Sequence, residues 1–148
     1  MIKTVLVATD GSDAAMAAMR TAVELVRSLQ PGAALHVASA VAYAEIPSML
    51  AKQPADAPDL LAEQAEQALQ LAAAAAFAEG VEIETHLLSG DVVPALLQCA
   101  AGIGADVIVA GFHGRNRLVR LVMGSVAGDL VRANILPVML VGAPVVSA

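Results

Sequence analysis

Apolar residues fall into short runs separated by longer amphipathic stretches, an alternation that predicts strand and helix in turn. Residues 4–9 (TVLVAT) are apolar and rich in β-branched side chains, and they end on Asp10-Gly11-Ser12, the pattern of a buried strand entering a loop. From Asp13 to Leu29 the positions Met16, Met19, Val23 and Val26 recur at spacings of three and four until Pro31-Gly32 stops them, which predicts an amphipathic helix. Leu35 to Val41 is a second apolar run without clean alternation, as expected of a strand covered on both faces. Between Ala42 and Ala57 the periodicity fails around Pro47 and Pro54, so this stretch is expected to be a long loop with at most one helical turn, of the kind that folds over a ligand. Pro58 suits the first turn of a helix. Asp59 to Glu79, rich in alanine, glutamine and glutamate, is expected to be the longest helix, with Gly80 as its stop. The alanine tract Ala72 to Ala76 lies inside that helical period and predicts close helix packing.

Val81 to Leu88 alternates apolar residues with Glu82, Glu84 and His86, the half-exposed period of a strand at a sheet margin. After Ser89-Gly90-Asp91 a third helix is expected over Val92 to Ala101. Asp106 then precedes a fully apolar central strand, Val107 to Ala110, which Gly111 ends. A short helix over Ser125 to Ala133 and a last strand over Pro137 to Val141 complete a βαβαβαβαβ order. Strands alternating with helices imply a mostly parallel sheet with helices on both faces, because right-handed crossovers are nearly obligatory. The expected class is therefore α/β, an open five-stranded sheet, and 148 residues suit one domain over 1–148.

Composition sharpens this picture. Hydrophobic residues make up 58% and charged residues 15%, which excludes intrinsic disorder. The longest uncharged stretch, Ala133 to Ala148, is interrupted by Asn134, Pro137, Pro144 and Ser147 and is shorter than the roughly 20 residues a spanning helix needs, so no membrane segment is expected. The first ten residues lack the long apolar run of a secretory signal, and the lone Cys99 precludes an internal disulfide, both of which lead to an expected cytoplasmic location. The net charge of -6 argues against general affinity for nucleic acid or anionic membrane. Of the eight lysines and arginines, however, Arg115, Arg117, Arg120 and Arg132 fall together around a single acid, Asp129, which predicts a cationic pocket.

In open α/β sheets ligands bind beyond the carboxyl ends of the strands, where the crossovers reverse direction. Three places are therefore candidates: Ala8-Thr9-Asp10, Val37 to Ala40, and Ala110-Gly111. The last opens a Gly-x2-Gly-x9-Gly-Ser pattern formed by Gly111, Gly114, Gly124 and Ser125. Glycine admits positive φ and lets an anion approach backbone N–H groups, while Gly124-Ser125 opens a helix whose first amides are unsatisfied. Charge-assisted bonds to such amides contribute about 1.5–3 kcal/mol each and the helix dipole about 0.3–1 kcal/mol more, so several together hold a phosphate. Any two of these glycines can equally be punctuation between elements, and it is the three together, with arginines among them, that favour the phosphate reading. There is no Gly-Lys-Ser/Thr and no Gly-x-Gly-x-x-Gly after the first strand, so neither a Walker A loop nor a dinucleotide fingerprint is indicated.

With residues 3–12 (KTVLVATDGS), Leu35-His36-Val37, Gly80, Gly90-Asp91, residues 105–111 (ADVIVAG), the full glycine pattern and Pro137-Val138 in this order, the chain resembles the universal stress protein family, in its ATP-binding single-domain subgroup. That resemblance implies a sheet of order 3-2-1-4-5 and a bound adenine nucleotide, ATP, with Mg²⁺ arriving through the phosphates. It implies that Asp10 bonds the ribose hydroxyls, that Ala8 and Thr9 line base and sugar, and that Val37 offers backbone groups to adenine. Ala110 ends the strand leading to the phosphates, Gly111, Gly114 and Arg115 meet them, and Gly124, Ser125 and Val126 close the cradle. Phe112 departs from the family pattern, where a small polar residue is usual; its ring either stacks at the entrance or covers the core.

Other candidates carry less. Asp10 has a second reading as part of a helix cap beside Ser12 or Asp13. His113 has no neighbouring carboxylate or nucleophile in sequence to make it a general base. His36 and His86 fall on strands in no spacing that suggests a metal site, and Cys99 sits among Leu96, Leu97 and Ala100 as a small apolar residue. No catalytic residue is assigned. The expected function is that of an ATP-binding stress-response or signalling module, with a slow ATP-hydrolysing enzyme or a nucleotide-free dimeric interaction protein as alternatives, and the protein partner unspecified. The apolar terminal strand Pro137 to Val141, extended by Val145 and Val146, predicts a homodimer formed edge to edge.

Overall fold

A computed structural model describes residues 1–29, 31–41, 57–113 and 123–142, with side chains from residue 60 onward in the third of these segments. The elements are β1 (Thr4–Ala8), α1 (Asp13–Ser28), β2 (Ala34–Val41), α2 (Ala57–Ala78), β3 (Ile83–Ser89), α3 (Val92–Ile103), β4 (Val107–Gly111), α4 (Ser125–Ala133) and β5 (Val138–Val141). The long loop expected from Ala42 onward lies outside the described residues.

The strands form one sheet in the order β3-β2-β1-β4-β5, and all four pairings are parallel. The apolar runs lack alternation because both faces are covered. Val5, Val7, Val37, Val107 and Val109 pack against Met19 and Val23 of α1 and Leu69, Ala72 and Ala76 of α2. The intervening residues Leu6, Ala38, Ile108 and Ala110 point the other way, onto Leu96 and Ala100 of α3 and Leu130 of α4. One-residue alternation thus feeds two cores, and a strand with only one covered face would have shown a polar residue at every second place. The alanine tract does pack closely: Ala72 and Ala76 are fully buried against the sheet.

Differences from the expected boundaries have local causes. Val81 belongs to the exit of α2, since its N–H donates to the carbonyl of Ala76 at 2.9 Å, so β3 begins two residues later. Pro137 has no N–H for the ladder and contributes only its carbonyl, which accepts from Ile108 at 3.0 Å. Helix α3 continues to Ile103 and is ended by Gly104 in the left-handed conformation, φ +67°. At the amino-terminal end of the sheet the Asp106 carboxylate accepts from the backbone N–H groups of Lys3 at 2.8 Å and Thr4 at 2.9 Å, tying the start of β1 to the approach of β4.

Candidate functional site

The chain runs β1 to β2 to β3 outward on one side, then crosses back to place β4 on the other side of β1. The crossovers therefore reverse between β1 and β4, and the carboxyl ends of these two strands flank the crevice where ligands bind in such sheets.

On the β1 side the backbone is pinned in four successive steps. Thr9 N–H donates to the Ala38 carbonyl at 2.9 Å, and the Thr9 hydroxyl accepts from Gly11 N–H at 3.2 Å. Asp10 Oδ1 accepts from Ser12 N–H at 2.8 Å, and Ser12 Oγ accepts from Ala15 N–H at 3.2 Å as the N-cap of α1. Gly11 has φ +79°, which a side chain would strain, so the turn between strand and helix requires it. Ser12 is thus the cap, and Asp10 buttresses the cap from the strand tip, where its carboxylate is half-buried.

On the β4 side, Phe112 clamps two elements. Its N–H donates to the Val141 carbonyl of β5 at 2.7 Å, and its carbonyl accepts from Gly124 N–H at 2.8 Å. The chain that leaves β4 therefore returns to its own starting point to begin α4. Gly124 is the N-cap of α4 and has no side chain to accept from the first-turn amides, while its carbonyl accepts from Gly128 N–H at 2.9 Å. The amides of that first turn, carried by Ser125 and Val126, have no partner within the helix and no side-chain cap at Gly124, whose N–H hydrogen bond to Phe112 sets them near the end of β4. Two residues past the end of β4, His113 Nδ1 is buried with no hydrogen-bond partner among the described residues, and its ring meets Phe112 edge-on, with centroids 4.9 Å apart. The Phe112 ring is thus half-buried against His113 rather than fully enclosed in the core.

Gly111 joins the two sides. A β-carbon there would stand 2.9 Å from the carbonyl carbon and the Cβ of Ala14 and 3.0 Å from the nitrogen of Ala15, so the first turn of α1 lies directly on the end of β4. Packing, and not ligand approach alone, demands glycine at this position.

Other expected site residues are placed as follows. Ala8 is half-buried at the end of β1, and Ala110 is buried against α3 and α4. Val37 sits inside β2, opposite Val7 and Thr85, with its side chain fully buried toward α1 and α2, so any part it plays falls to its backbone. Gly114 and Arg115, with Arg117 and Arg120, lie outside the described residues. The expected cationic pocket loses one member: Arg132 is in the last turn of α4, at the opposite end from Gly124, and pairs with Asp129 at 2.6 Å on the surface. Cys99 is partly buried, and burial pushes its thiol pKa up, in keeping with an apolar role.

Sequence spacing did miss one constellation. His36 and His86, fifty residues apart, meet on β2 and β3 together with Glu84, away from the strand ends described above.

The model of the Universal stress protein family matches residues 1–142. The chain belongs to the universal stress protein family. A universal stress protein of Thermus aquaticus is 36% identical over 142 residues, covering 95% of this chain and 99% of that one. A solved universal stress protein in complex with cAMP is 29% identical, with a TM-score of 0.71 and coverage of 97% and 99%. The solved hypothetical protein MJ0577 superposes with a TM-score of 0.80 over 97% of this chain and 98% of that one; at 21% identity it attests the fold alone. No helix among the described residues is long and apolar enough to cross a membrane.

Proposed function

We propose that this universal stress protein binds an adenine nucleotide at the β1–β4 switch point and acts as a nucleotide-dependent stress-response or signalling module, with ATP as the ligand. One observation carries the reading: the pinned Thr9-Asp10 turn and the uncapped first turn of α4 converge on the same crevice, joined through the contact of Gly111 with Ala14. A carboxylate suits ribose hydroxyls, and free amides at a helix N-terminus suit phosphate. The related protein solved with cAMP supports the choice of an adenine nucleotide.

The residues present fit such a ligand. The α4 cap offers no side-chain acceptor of its own, and the buried Nδ1 of His113 has a hydrogen-bonding capacity that no described residue uses. Asp10, with Ala8 and Thr9, would hold the sugar and base, with Val37 contributing backbone; Gly124, Ser125 and Val126 would hold the phosphates together with Gly114 and Arg115. Mg²⁺ would enter with the phosphates, since it keeps most of its ligands as water and phosphate oxygen. No residue is assigned as a general base, so the role proposed is binding and signalling in the cytoplasm, through a homodimer formed at the β5 edge.

The test is the small-molecule content of the purified protein, released by denaturation and identified by mass, followed by calorimetric titration with ATP, AMP and cAMP. Recovery of an adenine nucleotide, or micromolar binding of ATP, is the expected outcome. A protein that carries none and binds none of the three overturns the reading.

A further inference from the structure

We propose that His36, Glu84 and His86 form a binding site for a zinc-type divalent transition-metal ion on the β2–β3 margin of the sheet. The register creates it. His36 pairs with Glu84 and Ala38 with His86, so all three side chains leave the sheet on the same face. His36 Nδ1 stands 2.9 Å from His86 Nε2 and 3.4 Å from Glu84 Oε2, and the three donor atoms lie within 4.8 Å of one another. The imidazole rings lie 5.2 Å apart at 21°, and the nitrogens by which they face one another share the same small volume.

Two nitrogens and one carboxylate oxygen are the donor set of borderline divalent ions such as Zn²⁺, not of Mg²⁺ or Ca²⁺, which take oxygen. At metal–ligand distances of about 2.0–2.1 Å, tetrahedral coordination separates neighbouring donors by roughly 3.3 Å. The 3.4 Å separation already matches, and the 2.9 Å one needs a small opening of the ring pair. The side chain of His36 is 12% exposed and that of Glu84 71% exposed, which gives the site a fixed inner wall and an outer ligand that can swing. β3 is the outermost strand, so water can reach the ion from the solvent side and fill a fourth position.

Without metal the two facing nitrogens can be satisfied only if one of them carries a proton for the other. Burial lowers the pKa of His36, outweighing the opposing pull of Glu84, and so favours the neutral ring that a metal requires. A metal would replace that shared proton and tie the margin strand β3 to β2.

The full-length protein, stripped with chelator, should bind one Zn²⁺ per chain when titrated calorimetrically with zinc chloride alone, and magnesium chloride should give no such binding. His36→Gln and His86→Gln should each weaken zinc binding by at least about tenfold, as loss of even an outer-shell partner commonly does. Glu84→Gln, at an exposed position, should fold normally and weaken it by a smaller factor. Zinc should also raise the melting temperature of the wild type but not that of a Glu84→Gln/His86→Gln double variant, so the test stands even if His36→Gln fails to fold. Absence of stoichiometric zinc binding, or binding that survives in the His86→Gln and double variants, overturns the proposal. So does binding that is lost instead on His113→Gln or Cys99→Ala.

Discussion

Gly111 and Ala14 are in such close contact that a β-carbon on the glycine would fall 2.9 Å from two carbon atoms of the alanine. This contact sets the end of β4 against the first turn of α1 and so determines how far apart the two halves of the candidate site stand. Gly111→Ala should destabilise the fold by roughly 1–3 kcal/mol, the usual cost of overpacking against backbone that cannot move aside. Chemical denaturation measures it, and an unchanged midpoint would show that α1 can retreat.

Asp10 uses Oδ1 to hold Ser12 N–H, so substitutions there separate the turn from the ligand. Asp10→Asn keeps that acceptor while replacing the charge and the second acceptor oxygen with an amide donor, and should weaken ATP binding more than it lowers stability. Asp10→Ala should lose affinity by about 1.5–3 kcal/mol, the range for a hydrogen bond to a charged group, and some stability as well. Wild-type affinity in both variants would remove Asp10 from the binding site.

Gly124 has φ -61° and ψ 158°, a conformation open to any residue. A side chain at Gly124 therefore meets no φ/ψ penalty, and the branched side chain of Gly124→Val is expected to stand before the α4 amides, at the modest cost of a poorer N-cap. ATP affinity should collapse while the melting temperature falls only slightly, as read by calorimetry on both proteins. Equal affinities would place the phosphates elsewhere.

ATP incubated with the purified protein and Mg²⁺ should remain largely intact over minutes. A turnover on the order of 1 s⁻¹, lost in Ser125→Ala, would instead move the protein into the enzyme class.

Stability should fall in two stages as pH decreases. His36 has its pKa lowered from 6.5, chiefly by burial, so the folded state disfavours its charged form. Its contribution is complete above pH 6.5 and is lost as pH falls below that value toward the folded pKa. The Asp106 carboxyl is held below its usual 3.8 by the backbone N–H groups of Lys3 and Thr4, so its contribution is present above 3.8 and is lost as pH falls through the lower folded value. Denaturation curves measured across pH should show the upper stage removed by His36→Gln and the lower one by Asp106→Asn; stages that persist in these variants would assign them to other groups.

β5 is the margin strand opposite β3, and Met139 on it is 37% exposed. Among the described residues one row of its backbone groups has no strand beside it, the arrangement that invites pairing with a second copy about a two-fold axis. Sedimentation should give a dimer for the wild type and a monomer for Met139→Lys combined with Leu140→Pro. A monomeric wild type, or a dimer indifferent to both substitutions, rejects this edge as the interface.

The order of elements was legible in the chain because period and punctuation are local. Unbroken apolar runs such as Val107 to Val109 and Val5 to Val7 announce strands covered on both faces, and the alternation of Glu82, Glu84 and His86 announces a margin strand. The Gly-x2-Gly-x9-Gly-Ser spacing likewise sets Gly124 at the start of a helix. What the tertiary structure alone decided depends on register and close approach, which join residues far apart in the chain. It assigned Gly111 to packing against Ala14, sent Arg132 away from the site to Asp129, and held the start of β1 to Asp106 across a gap of 103 residues. It also brought His36 to His86, because a parallel pairing can bring any two strands side by side and the sequence between them carries no record of which residues will face each other.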